Sequence, residues 1–188
     1  MSQEHVEIVR QPLRVRDRSS RTLDERLSLR FPWLIDASSW LIAKLPPRSR
    51  LRRAALSRAV RLASEAYNRR DLDALVIAYH PELEYYPGRE WVRAGLAEPC
   101  YQGREGYRRY VAATSEVWGD ENYLMPSELI DLGDRFVLLA TVPMRGQASG
   151  IRLNEAFAYV GTLKDGKVVR LQEFYDHAEA LEAAGLRA

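Results

Sequence analysis

The chain has 188 residues, 46% of them hydrophobic and 29% charged, with a formal net charge of +2. That length supports one domain with a proper core plus an extension, and no apolar run approaches the roughly 18 to 20 residues that a membrane span needs. A single cysteine, Cys100, excludes an internal disulfide and, with three scattered histidines, supplies no metal framework.

The small net charge conceals an asymmetry: residues 1–70 hold 16 Lys/Arg and 7 Asp/Glu, residues 71–188 hold 12 and 19. The basic third is expected to dock on an acidic surface, first of all the acidic remainder of its own chain or of a sister subunit. No recognition motif accompanies the arginines, so no specific nucleic-acid partner is expected. No apolar stretch follows the first charges as a secretory signal would require, and a reducing cytoplasm is the expected location.

In chain order, residues 1–22 are polar and Arg-rich and read as a flexible basic arm. Residues 23–47 read as a helical extension: a short helix over 23–30, then a second over 32–45. The second carries Trp33, Leu34, Ala37, Trp40, Leu41 and Leu45 at three- and four-residue spacing, hence on one apolar face. This face is expected to pack on the main domain or on a dimer mate; the sharper alternative is an interfacial membrane helix with aromatic anchors and basic flanks. Pro46-Pro47 stops the helix, since proline lacks the donor and clashes with the preceding turn.

The main domain is placed at 48–188. Its first helix, Arg48 to Arg69, buries Leu51, Ala55, Leu56, Ala59, Leu62, Ala63, Ala66 and Tyr67 and turns Arg52, Arg53, Arg58, Arg61 and Arg69 mostly to solvent. A short helix over 71–79 follows, then a strand over 82–86. A long loop from Pro87 to Tyr101 is expected to border a pocket. Gly103 to Trp118 reads as a helix with Tyr107, Tyr110, Val111, Thr114 and Val117/Trp118 on one side. Strands are expected at 122–131, 135–146, 151–163 and 167–175, punctuated by Leu132-Gly-Asp134 and Lys164-Asp-Gly-Lys167, where Gly and Asp tolerate the positive φ of tight turns. A last helix over 177–184 ends at Gly185. The class is α+β: a cone-shaped, curved antiparallel sheet with helices packed over it, of the cystatin-like or α+β-barrel kind, plus a helical N-terminal arm.

Over residues 50–186 the chain resembles the nuclear transport factor 2-like superfamily in its SnoaL-like, polyketide cyclase-like branch. The likeness rests on Ala66-Tyr-Asn-Arg-Arg-Asp-Leu-Asp-Ala-Leu75, Tyr79-His-Pro-Glu-Leu-Glu-Tyr85, Tyr101-Gln-Gly-Arg-Glu-Gly-Tyr107, Glu128-Leu-Ile-Asp-Leu-Gly-Asp134, Asp165-Gly-Lys-Val-Val-Arg170 and Glu173-Phe-Tyr-Asp176. It implies the cone-shaped fold with a one-mouthed pocket and leaves the chemistry open, because the fold hosts isomerases, dehydratases, epoxide hydrolases, cyclases and non-catalytic binders. The ketosteroid isomerase base and two oxyanion donors would fall near Pro87, Ala63 and Tyr159, so the base is missing. Of the epoxide hydrolase Asp-Arg-Asp set only Asp176 has a counterpart, the others falling near Ala140 and Val142. The histidine pair of scytalone dehydratase has no convincing match in His80 and His177.

Strand alternation sorts the remaining candidates. Glu155, Phe157 and Tyr159 share one face, and so do Leu171, Glu173 and Tyr175. The candidate acid/base residues are Asp176, Glu155 and Glu173; the candidate ligand-lining residues are Tyr85, Tyr159, Tyr175, Phe157, Trp118 and His80. A carboxylate among aromatic walls has its pKa raised by desolvation, which suits proton transfer near neutral pH. The competing expectations are structural: Glu155 and Glu173 on an exposed rim beside Arg152 or Arg170, Asp176 as the cap of the final helix, and His80 at the surface. The resulting expectation is a small-molecule pocket protein that takes a hydrophobic ligand without a cofactor and forms a homodimer through the outer sheet face. Its activity would be that of a cyclase, isomerase or dehydratase working by acid/base catalysis on an apolar carbonyl compound. The alternative is a non-catalytic binding or interaction module.

Overall fold

The computed structural model describes residues 9–13, 20–118, 123–145 and 152–186. Fourteen elements follow in the order β1 (Val9–Pro12), α1 (Leu23–Arg30), α2 (Pro32–Ala43), α3 (Arg50–Asn68), α4 (Leu72–Val76), β2 (Tyr79–Tyr86), α5 (Arg89–Arg93), β3 (Tyr101–Gln102), α6 (Gly103–Trp118), β4 (Met125–Asp131), β5 (Arg135–Arg145), β6 (Arg152–Lys164), β7 (Lys167–Phe174) and α7 (His177–Ala183). The seven strands form one sheet in the order β1-β4-β5-β6-β7-β2-β3. The pairs are antiparallel except β2–β7, which is parallel because the chain crosses from one side of the sheet to the other between them. Register shifts between Pro126 and Glu128, between Thr162 and Leu163, and between Tyr79 and Glu84 bend the strands as bulges do.

Local chemistry explains most boundaries. The β6–β7 turn uses Asp165 and Gly166, both at positive φ (52° and 75°), the conformation of a tight hairpin. Ser49 caps α3, Asp71 caps α4, and Thr22 with Glu25 forms a capping box on α1. Alternation along the strands then divides the apolar residues between two faces. Tyr85, Leu129, Leu138, Phe157, Tyr159 and Leu171 join the core under α3, α4 and α6. Ile130, Val137, Leu139, Ala158 and Phe174 pack on the opposite face against Ala180, Leu181 and Ala184 of α7 and its end. The outer face, where a dimer contact was expected, therefore carries α7.

Four expectations are corrected. Residues 9–12, expected within a flexible arm, add a strand to the exposed edge of β4, pairing Val9 with Asp131 and Pro12 with Glu128; an edge strand offers unpaired backbone groups to any nearby extended segment. The loop from Pro87 to Tyr101 contains the short α5 and β3. Arg52, expected to face solvent, is buried and forms a bidentate pair with the fully buried Asp131 (2.8 and 2.9 Å). Its other guanidinium protons reach the carbonyls of Ala43, Leu45 and Gly133, which satisfies a charge that could not otherwise be buried. Finally, α2 does not turn its apolar face onto the main domain. Ile35, Ser39 and Ile42 are its half-buried residues, while Trp33, Leu34, Ala37, Trp40 and Leu41 face outward. The docking contacts of α2 include the Asp36–Lys167 ion pair, the Arg52 bond to the Ala43 carbonyl and the seating of the Ser39 backbone against Gly166, where a side chain would collide.

Candidate active site

Helix α3 spans the concave face of the sheet, and two cavities lie beneath and beside it. The larger, about 110 Å3, is lined by Leu56, Val60, Ala63 and Tyr67 of α3, Tyr79 and Tyr107, and the inward residues Leu129, Leu138, Tyr159 and Leu171 of the sheet. Its walls are almost wholly apolar. The smaller, about 20 Å3, is lined by Tyr67, Trp91, Tyr110, Thr114, Leu124, Val142, Phe157, Tyr159, Glu173 and Tyr175. Tyr67, Leu124 and Tyr159 belong to both linings, so these three side chains stand between the two spaces. A single water occupies roughly 10–15 Å3 on this measure; the small chamber admits about one, and the large cavity several or a compact apolar group.

Glu173 is the charged centre of the small chamber. It is 4% exposed, and three phenols donate to it: Tyr85 and Tyr110 (2.7 Å) to Oε2, and Tyr175 (2.7 Å) to Oε1. The four groups come from three elements. Tyr85 projects inward from β2 beside β7, where it pairs with Leu171. Tyr110 lies on the sheet-facing side of α6. Tyr175 follows β7 directly, on the face it shares with Leu171 and Glu173. Glycine at 88 is required for this arrangement, because a Cβ there would run into the Tyr175 ring. The rings pack edge-on or tilted, Tyr85 to Tyr107 at 4.9 Å, Tyr85 to Tyr110 at 4.6 Å and Phe157 to Tyr175 at 5.5 Å, a favourable geometry for their quadrupoles.

Two effects compete for the Glu173 proton. Burial disfavours the carboxylate, and the three phenol donors favour it. Burial wins, and the carboxyl is held above the ordinary glutamate range, against the opposing pull of Tyr85, Tyr175 and Tyr110. The phenols move upward as well. Burial and then the negative charge of Glu173 push Tyr85, Tyr110 and Tyr159 well above the usual tyrosine value, and Tyr175 follows for the same reasons. Burial raises Tyr79 to about 12, with the Tyr107 hydroxyl opposing. The phenols thus remain proton donors over the physiological range, and Glu173 is the one carboxyl lining this chamber, its protonated form favoured by burial.

The other candidates lie elsewhere. Asp176 caps α7, its Oδ1 accepting the Glu179 N–H at 2.9 Å, and lines neither cavity. Glu155, two residues before Phe157 on the same strand face, is half-buried and also outside both linings. His80 accepts the Glu82 N–H at 3.1 Å at the start of β2, far along the strand from Tyr85. The side chain of Trp118 lies outside the described residues. Phe157, Tyr159 and Tyr175 line the chamber, and Tyr85 reaches it through its hydroxyl. His177 makes no chamber contact: its Nε2 sits 2.8 Å from the Ala140 carbonyl and 3.1 Å from that of Phe157, tying β5 to β6. Tyr110 and Trp91 complete the site and were not singled out from the sequence. The periodic run Tyr107, Tyr110, Val111 and Thr114 was the signal for the first; Trp91 sits on a helix that the sequence presents as loop.

A curled sheet with α3 across its concave face, an apolar cavity beneath that helix and a small chamber with one buried carboxyl beside it define a protein of the nuclear transport factor 2-like α+β class. The chain belongs to the SnoaL-like family, whose domain profile matches residues 60–171. Among solved structures it is similar to TerC co-crystallised with polyporic acid (25% identity, TM-score 0.57, 66% of this chain and 96% of that one). It is equally similar to an NTF2-like protein of unknown function from Burkholderia pseudomallei (25% identity, TM-score 0.57, 66% and 93%). A SnoaL-like protein of unknown function from Burkholderia thailandensis shares the fold at 18% identity (TM-score 0.53, 69% and 99%). No curated protein matches the chain.

Proposed function

We propose that the protein catalyses proton transfer on a small apolar carbonyl compound, with Glu173 as the general acid/base. The observation that carries this reading is a buried carboxyl with a raised pKa, held by three phenols beside an apolar cavity. The apolar body of the substrate occupies the space under α3, and its carbonyl end enters the chamber past Tyr67 and Tyr159. The Glu173 carboxylate takes the proton from the carbon next to the carbonyl, and the C–H electron pair moves onto the carbonyl oxygen. Tyr110, Tyr175 or Tyr159 donates to the resulting enolate oxygen, a preorganised donor in a water-poor site. The Glu173 carboxylic acid then returns the proton, either to another carbon, which isomerises the substrate, or to the oxygen of a second carbonyl that the enolate carbon has attacked, which closes a ring. Neither outcome needs a cofactor.

The test is deuterium uptake. Cyclic diketones and quinones are incubated with the protein in D2O and followed by NMR, and polyporic acid, the compound co-crystallised with TerC, is tried as a ligand. Glu173→Gln is expected to slow exchange by about 10²- to 10⁴-fold and to leave binding of the apolar probe in place. A specific observation favours a second reading, non-catalytic ligand binding: both Glu173 oxygens already have phenol partners, and the chamber itself admits about one water. Tight binding with no exchange at any pH would establish that reading instead.

A further inference from the structure

The outward face of the N-terminal helices has a composition that the site does not explain. On α2, Trp33, Trp40 and Leu41 are 64%, 51% and 59% exposed, and Leu34 lies beside them. At 100° per residue these side chains, with Ala37 and Lys44, occupy one stripe. Phe31 ends α1 and begins α2 and is itself exposed, so the face continues onto α1. There Leu23 and Leu27, one turn apart, are exposed, as are Arg26 and Arg30. Exposed apolar area of this kind marks an interaction site.

Charge decides what kind. The acidic residues of this region are each neutralised in an ion pair, Glu25 buried with Arg69, and Asp24 with Arg58 and Asp36 with Lys167 at the surface. Arg26, Arg30, Lys44 and Arg50 make no ion pair among the described residues, and the Lys44 ammonium stands 5.4 Å from the Trp40 ring centre. Among the described residues the face is therefore apolar with a cationic border that no carboxylate pairs. Two copies meeting through it would bring those cations together and strip their water, which opposes self-association. A surface that offers both acyl chains and anionic headgroups satisfies both parts. Tryptophan sits at that boundary with its ring among chains and its N–H in the headgroups, and lysine and arginine stems reach outward to phosphate.

We propose that α1 and α2 dock the protein on an anionic lipid surface, α2 lying in the plane of the interface with Trp33, Trp40, Leu34 and Leu41 inserted and Arg26, Arg30 and Lys44 on the headgroups. Twelve residues make α2 about 18 Å long, too short to cross a bilayer of about 30 Å, and no described helix is long and apolar enough to span one. Insertion in the plane is the mode left to an amphipathic helix.

The experiment is vesicle co-sedimentation of the full chain with phosphatidylcholine vesicles or with mixed phosphatidylcholine–phosphatidylglycerol vesicles. The expected result is about tenfold stronger binding to the anionic vesicles, weakened by salt, with tryptophan emission quenched by brominated acyl chains. Trp33→Ser/Trp40→Ser should abolish binding to both. Arg26→Gln/Arg30→Gln/Lys44→Gln should remove the anionic preference; all five side chains are exposed, so far-UV circular dichroism and the melting temperature should stay as in the parent. Equal, weak binding of parent and variants to both vesicle types would overturn the proposal. So would light scattering that finds a dimer which Trp33→Ser/Trp40→Ser dissociates, because the face would then belong to a second copy.

Discussion

Replacing Arg52 by alanine should be among the most destabilising single substitutions in this chain. The side chain is 4% exposed and Asp131 fully buried. Arg52 donates to both Asp131 oxygens and to the carbonyls of Gly133, Leu45 and Ala43. It thereby ties the end of α2, the start of α3 and the β4–β5 turn to one point. Without it, Asp131 retains the Gly133 N–H at 3.0 Å, and a buried carboxylate with one donor is poorly solvated. Breaking such a pair from one side costs about 3–5 kcal/mol. At about 2–4 °C per kcal/mol for a chain of this size, the melting temperature should fall by about 6–20 °C. Urea unfolding is measured for Arg52→Ala, and Arg52→Met, Asp131→Leu and the double variant Arg52→Met/Asp131→Leu close the cycle. The double variant should be far less destabilised than the singles sum to, since an apolar replacement of both partners leaves no unpaired charge. A loss below about 1 kcal/mol for Arg52→Ala, or strict additivity, would refute the reasoning.

Three further outcomes are expected. Because the fold holds the Glu173 carboxyl above its ordinary pKa, its protonated form is favoured in the folded state. The associated stability is complete below the unfolded value and is lost as pH rises through the folded one. Glu173→Gln, which does not titrate, should therefore gain on the parent with rising pH in urea midpoints; parallel curves would show that the phenols cancel the effect of burial, and a parent that gains instead would show that they dominate it. Gly88→Ala forces a methyl into the Tyr175 ring; it should cost about 1–3 kcal/mol and withdraw the Tyr175 hydroxyl from Glu173, and a crystal structure with Tyr175 in place would contradict this. Asp71 is held below the usual carboxylate range, chiefly by its bond to Arg21 and then by the Ala74 N–H and Arg69. Its contribution is present above the ordinary aspartate value and lost as pH falls through the depressed one, so Arg21→Ala should move the acid unfolding midpoint to higher pH.

Most elements were legible in the chain; β1, α5 and β3 were not. Asp165-Gly166 sets a hairpin wherever it stands, because both residues take positive φ at little cost. The alternation through 135–145 and 152–164 assigns faces without reference to anything else. The stripe on 50–68 was legible in its middle, but Leu51 and Ala59 are exposed and Arg69, expected at the surface, is nearly buried against Glu25. The site was half legible: alternation put Leu171, Glu173 and Tyr175 together, and Phe157 with Tyr159, but it ranked Glu173 no higher than Glu155 or Asp176.

Tertiary structure separated those three carboxylates. Glu173 sits mid-sheet under α6, where Tyr110 and Tyr85 arrive from elements 63 and 88 residues away in the chain. Asp176 sits past the end of β7, where the nearest unsatisfied donor is a helix N–H. The same holds for Arg52, whose partner Asp131 is 79 positions distant, and for α2, whose sequence shows one apolar face but does not say which side meets protein. Periodicity records which side chains share a face. Which face is covered, and which charge is buried, depends on partners supplied by distant parts of the chain, and only the assembled sheet brings them within reach.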